Sequence, residues 1–134
     1  MVFVFDTNTL ISALIKPKGI PSTALARAIE KGKLIFSVDT ATEYLEVASR
    51  IKFNKYMPMS FRTDSARQLI GQSESKFVIA KLPDACRDID DIKFLELALE
   101  ARATAIVSGD KDLLTLHPFR GIPIVSPTDF LKMF

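Results

Sequence analysis

Apolar residues occur along the chain in two kinds of run. Val2-Phe3-Val4-Phe5, Leu34-Ile35-Phe36-Ser37, Phe77-Val78-Ile79-Ala80, Ala105-Ile106-Val107 and Ile122 to Val125 are short and nearly continuous. Such runs predict strands buried on both faces of a parallel sheet. Between them apolar residues recur at helical spacing. Ala24, Leu25, Ala28 and Ile29 share one face of a helix that Ser22 caps and Gly32 stops after Lys31. Tyr44, Leu45, Val47 and Ala48 mark a second, which Asp39 or Thr40 starts and which runs to about Arg50. Phe94, Leu95, Ala98 and Leu99 mark a third, opened by Asp90 or Asp91. A short helix reaches Leu14 from a cap at Asn8 or Thr9, another spans Ser60 to about Ser75, and Ser126-Pro127 opens a last one, with proline suited to a first helical turn. Strands and helices alternate throughout. That order predicts a three-layer α/β/α sandwich around a central, mostly parallel five-stranded sheet.

The length, 134 residues, suits one domain over 1–134. With 48% apolar and 25% charged residues the chain has material for a globular core. A net charge of +2 is too mild to announce a nucleic-acid binder. The single cysteine excludes an internal disulfide and a multi-thiolate zinc site, and fits a reducing cytoplasm. The opening MVFVFDTN lacks the pattern of a signal peptide. No run approaches the roughly 18 apolar residues of a membrane span. No internal repeat is evident.

Charge changes the picture through its placement. Asp6 follows the first strand, and Asp39 follows the second with Glu43 one helical turn later. Asp88, Asp90 and Asp91 lie between the third strand and its helix, and Asp110 and Asp112 follow the fourth. Ligands of open α/β sheets bind at the carboxyl ends of the strands. Each acid also has a plain structural role open to it: Asp39 and Asp110 suit helix caps, Asp88 a solvated loop, and Glu43 and Glu46 an exposed helix face. Collectively they would repel and resist ionising unless a cation neutralised them. Hard oxygen donors with one histidine in the whole chain point to Mg²⁺ or Mn²⁺, not zinc.

The motifs FDTNTLISAL, TATEYLEV, CRDIDDIKFLELALEARA, IVSGDKDLL and IPIVSPTDFL, in this order, resemble the PIN-domain family along the whole chain, and most closely the VapC-like toxin ribonucleases of toxin–antitoxin modules. The resemblance implies an acidic metal-binding quartet of Asp6, Glu43, Asp91 and Asp110. Asp112 matches an auxiliary acid, and Asn8 and Ser108 match polar supports. It implies metal-dependent hydrolysis of RNA phosphodiester bonds, with Asp110 or Asp112 orienting the attacking water, in a cytoplasmic protein. Asp90 competes with Asp91 for the third position. The expected partners are RNA, an antitoxin protein that covers a hydrophobic groove, and a second copy in a homodimer. Arg50, Lys52, Lys55 and Arg62 are candidates for tracking phosphates. Phe53 and Tyr56 read first as core edge or protein interface, then as base-stacking platforms. His117 reads as a loop residue. The segment from Ile51 to Met59 is the expected dimer contact or antitoxin groove.

Other readings fit less well. A phosphoacceptor receiver domain wants an acid after the third strand and a lysine after the fifth, where this chain has Ala80-Lys81 and Pro127. A phosphatase with an aspartate nucleophile needs an acid two residues after Asp6, and Asn8 stands there. An inactive PIN-like module that binds RNA or protein is the remaining alternative, and the intact quartet speaks against it.

Overall fold

In the computed structural model, which describes all 134 residues, five parallel strands form one sheet in the order β3-β2-β1-β4-β5. The strands are β1 (Val2–Phe5), β2 (Lys33–Phe36), β3 (Glu74–Ser75), β4 (Ala105–Val107) and β5 (Ile124–Val125). The helices are α1 (Thr7–Ile15), α2 (Ile20–Lys31), α3 (Val38–Ala48), α4 (Met59–Gln72), α5 (Ile92–Ala101), α6 (Lys111–Leu114) and α7 (Pro127–Met133), with 3₁₀ turns at Ile51–Phe53 and Ile89–Asp91. Successive strand residues enter opposite layers, as side-chain alternation requires. Phe3, Phe5, Leu34, Phe36, Ala105, Val107 and Val125 pack with α1, α2, α3, α4 and α7. Val4, Ile35, Ile106 and Ile124 pack with α5 and α6. The expected α/β/α sandwich is therefore present, with every strand pairing parallel.

The strand order reverses between β1 and β4, since the chain builds outward to β2 and β3 and then returns to the other side of β1. Phe5 pairs with Val107, and the Asp6 N–H donates to the Val107 carbonyl at 3.1 Å. The ends of β1 and β4 are thus fixed side by side, which is where open α/β sheets place their sites.

Several expected boundaries move for identifiable reasons. The run Phe77–Ala80 is not a strand: β3 pairs Glu74 with Ile35 and Ser75 with Phe36, and β2 ends there because Ser37 caps α3. The Lys76 N–H takes the Phe36 carbonyl, and nothing of β2 remains to pair with the residues beyond, so Phe77 and Ile79 lie exposed. Pro123 shortens β5 to two residues, while Ile122 bridges back to Phe119. Asp39 does not cap α3. The Ser37 hydroxyl accepts the Thr40 N–H and the Thr40 hydroxyl accepts the Ser37 N–H, a reciprocal capping box, and Asp39 sits in the first turn, where the helix dipole favours it. Asp6, not Asn8 or Thr9, caps α1. α2 starts at Ile20 with Pro21 in its first turn, earlier than Ser22. On α5 Leu97 is buried where Leu99 was expected. Gly32 is required by space: a Cβ there would lie 2.2 Å from the Met1 carbonyl oxygen.

Arg62 is the largest side chain with no solvent exposure, so it does not track phosphates. Its guanidinium donates to the Ala48 carbonyl (2.8 Å), the Arg50 carbonyl (2.9 Å), the Asn54 side chain (3.0 Å) and the Met57 carbonyl. A planar fork of five donors satisfies the carbonyls of an irregular segment that no helix or sheet serves. It thereby moors 50–57 between α3 and α4. Arg62→Met should lower stability by about 3 kcal/mol, because it orphans several buried carbonyls at once. Urea unfolding followed by circular dichroism measures this; a loss below about 1 kcal/mol would contradict the role.

Candidate active site

At the β1–β4 switch a cleft of about 200 Å³ is lined by Asp6, Thr7, Asn8, Glu43, Arg50, Asp88, Asp90, Asp91, Phe94 and Asp110, among others. Four segments deliver these acids: the end of β1, the middle of α3, the 3₁₀ turn before α5, and the loop after β4. The quartet expected from the sequence, Asp6, Glu43, Asp91 and Asp110, lies within this one lining.

Each acid is held differently. Asp6 is buried; Oδ1 accepts the Thr9 N–H at 2.8 Å as the α1 cap, and Oδ2 accepts the Ser108 hydroxyl. The Ser108 Oγ in turn accepts the Asp110 N–H at 2.9 Å, so one buried serine couples the loops after β1 and β4. Asp110 caps α6 by accepting the Asp112 N–H at 2.8 Å on Oδ1. Glu43 accepts the Thr7 hydroxyl on Oε1 and the Lys93 ammonium on Oε2. Asp88 Oδ1 accepts the Asp90 N–H at 3.0 Å. Asp91 is 8% exposed, and no protein donor reaches its Oδ2. One carboxylate oxygen each from Asp88, Asp91 and Asp110 lies within 4.8 Å of the others.

The other expected residues divide. Asp90 lines the cleft but is exposed, whereas its neighbour Asp91 is buried. Asn8 lines the cleft, and no hydrogen bond joins its side chain to an acid. Asp112 is absent from the lining; its backbone N–H, not its carboxylate, serves Asp110. Arg50 lines the cleft while paired with Glu46 at 3.0 Å. The Lys52 and Lys55 ammonium groups lie over the Phe53 and Tyr56 rings. His117 is structural, its Nδ1 accepting the Ile124 N–H at 2.9 Å.

Two participants, Thr7 and Lys93, escaped the sequence, and a third, Asp88, was set aside there as a solvated loop residue. Thr7 gave no signal apart from its place beside Asp6. Asp88 reads as loop until the 3₁₀ turn stacks it one turn before Asp91, a spacing that was available in the sequence. Lys93 shows only as a charge between the buried Ile92 and Phe94 on α5.

Electrostatics follow from this crowding. Burial pushes the Asp91 carboxyl up to about 7, helped by a hydrogen bond shared with Asp110 and by the charges of Asp110, Asp88 and Asp6. Burial also raises Asp6, against the lowering effect of its bonds from Ser108 and Thr9. Carboxylate oxygens alone, one of them buried without a donor, fit a hard divalent cation. They do not fit zinc, which prefers nitrogen or sulfur in its shell.

The sequence profile described as "PIN domain" matches residues 2–112. The chain belongs to the PIN-domain family. It is 35% identical over 119 residues to a protein of Methanocaldococcus jannaschii described as "uncharacterized protein MJ1680", covering 85% of this chain and 74% of that one. PIN domains are generally nucleases that use a divalent metal, and RNA is the substrate that membership suggests. No helix here is long and apolar enough to cross a membrane.

The raised Asp91 carboxyl has a measurable consequence in metal-free buffer. Below about pH 4 it is protonated in both states. As pH rises the unfolded chain ionises first, so stability is lost progressively and the loss is complete once pH passes about 7. Asp91→Asn should remove that part of the decline and raise the melting temperature at pH 8 in EDTA by several degrees, since about 1 kcal/mol shifts a domain of this size by roughly 4 °C. Equal melting curves for wild type and variant from pH 4 to 8 would contradict it.

Proposed function

We propose that this PIN domain is a Mg²⁺- or Mn²⁺-dependent endoribonuclease, with Asp6, Glu43, Asp91 and Asp110 as the acids of its metal site. The observation that carries the reading is the buried Asp91 Oδ2, which no protein donor satisfies. When bound, a divalent cation would acidify a water and neutralise charge building on the phosphate. The chain's own groups supply the rest. The Ser108 relay fixes Asp6 and the Asp110 backbone in one arrangement. Asp110, with a carboxylate oxygen facing the cleft, is placed to accept a proton from the attacking water. Asp112 acts through its backbone and as a negative charge near the α6 N-terminus. Arg50 at the rim can leave Glu46 for an RNA phosphate, an exposed pair being worth little. An open, polar cleft suits a single-stranded backbone, which can be drawn into it.

We further propose that the protein is the toxin of a toxin–antitoxin pair and a homodimer. Support comes from an apolar groove of about 300 Å³ lined by Leu10, Leu14, Leu25, Met57, Phe61 and Leu69, among others. Beside it Ile51, Tyr56, Met59 and Phe61 are exposed, while Phe53 packs against the core. Contiguous apolar surface of this kind marks protein interfaces.

The purified protein should cleave single-stranded RNA in Mn²⁺ or Mg²⁺ and stop on chelation. Asp91→Asn should lower the rate by about a hundredfold or more, on the scale of losing a charge-stabilising group, and Asp90→Asn far less. No cleavage with either metal would favour the inactive-module reading, and the reverse order of the two variants would move the ligand to Asp90. Light scattering should give twice the chain mass. A monomer at high micromolar concentration would sink the dimer.

A further inference from the structure

Resting on the ribonuclease reading above, we infer that a second groove, which adjoins the acidic cleft at Asp6, Asn8 and Asp110, takes up a nucleobase of the RNA strand next to the phosphate being cleaved. This groove measures about 300 Å³ and adds Thr9, Ser12, Pro21, Gly109 and Pro127 to the three shared residues. Apart from the two shared acids, nothing in its lining is charged. The acidic cleft brings Glu43, Asp88, Asp90 and Asp91 as well. A bound cation would offset those charges for one phosphate, while the phosphates on either side of it are repelled. A strand is therefore favoured to leave the acidic cleft by the neighbouring groove. With no lysine or arginine to meet a phosphate there, that groove suits the uncharged part of the next nucleotide.

Gly109 is the decisive residue. It is exposed, its backbone lies outside the left-handed region, and a Cβ added to it would meet no atom within 4 Å. Neither conformation nor packing calls for glycine there, in contrast to Gly32. Glycine also serves where a ligand approaches the backbone closely, and this one stands between Ser108 and Asp110, beside the acids. The other lining groups suit a base. Pro21 and Pro127 offer apolar ring faces on the first turns of α2 and α7, so rigid elements hold them. The Asn8 amide and the Ser12 hydroxyl make no hydrogen bond within the chain and offer donors and acceptors to a base edge. Single-stranded RNA is read through unstacked bases in this way. Lys16 and Lys18, exposed and free of ion pairs, lie in the loop before Pro21, where the phosphate beyond the base would find cations.

The test is the affinity of the full chain for a fluorescently labelled RNA decamer of random sequence, read by anisotropy in an Asp91→Asn background that holds cleavage off. Gly109→Leu, which fills the groove, should weaken binding about tenfold or more, on the scale of one stacked base. Gly71→Leu is the matched control, since Gly71 sits on α4, lines neither groove, and has equal room for a Cβ. It should leave binding unchanged. Ser12→Leu enters the same groove from α1, should repeat the loss, and decides the matter where Gly109→Leu folds poorly. An abasic ribose–phosphate decamer should bind more weakly than the RNA, and Gly109→Leu should weaken it no further. Full affinity in both groove variants, a loss shared by Gly71→Leu, or an equal loss with the abasic strand overturns the base subsite, while RNA cleavage by the wild type would leave the ribonuclease reading intact. A wild type that neither binds nor cleaves RNA overturns both.

Discussion

Negative charge withdrawn from water is the constraint on which this structure turns. Asp91 and Asp6 are buried at the point where the sheet reverses, and Asp110 and Asp88 face them. Every arrangement nearby either limits or exploits the resulting repulsion. Asp6 is offset by two donors, Glu43 by a lysine, and Asp110 by a helix N-terminus. Asp91 alone is left with a buried oxygen that no donor serves, and burial drives its carboxyl toward neutrality. A fold selected only for stability would place an amide there.

The sheet makes the crowding possible. Parallel strands deliver their carboxyl ends to one rim, and the reversal between β1 and β4 leaves a gap there that no helix fills. Phe3, Phe5, Ala105 and Val107 lock these two strands from one side and Val4 and Ile106 from the other, so the acids ride on rigid elements. The irregular stretch that follows α3 is moored separately by Arg62, which leaves Ile51, Tyr56 and Met59 at the surface without loosening the cleft.

Much of this was legible in the sequence, because burial and periodicity speak for themselves. Four of the strands lie where continuous apolar runs predict them, and the cleft gathers the acids that follow β1 and β4 together with those before α5. The misreadings have local causes. Phe77–Ala80 has every mark of a strand, but its partner β2 had already ended at Ser37, a fact of tertiary pairing. Asp39 looked like the α3 cap because Asp caps well; Ser37, two residues earlier, closed a reciprocal box with Thr40. Arg62 looked like a surface cation because buried arginine is rare. Asp88 read as a solvated loop residue and Lys93 as an ordinary charge until a 3₁₀ turn and the crossing of α3 with α5 brought them to Asp91 and Glu43. Pairings between distant segments leave no trace in composition or period.

On the reading proposed above, Asp91 keeps one buried oxygen that no donor serves in order to hold a divalent cation. Anomalous scattering from crystals of the protein grown with Mn²⁺ tests it most directly. A single strong peak should lie at the β1–β4 switch, within coordination distance of carboxylate oxygens of Asp91 and Asp110. Crystals saturated with Mn²⁺ that show no peak there, or a peak elsewhere with the Asp91 carboxyl still unpartnered, would contradict it.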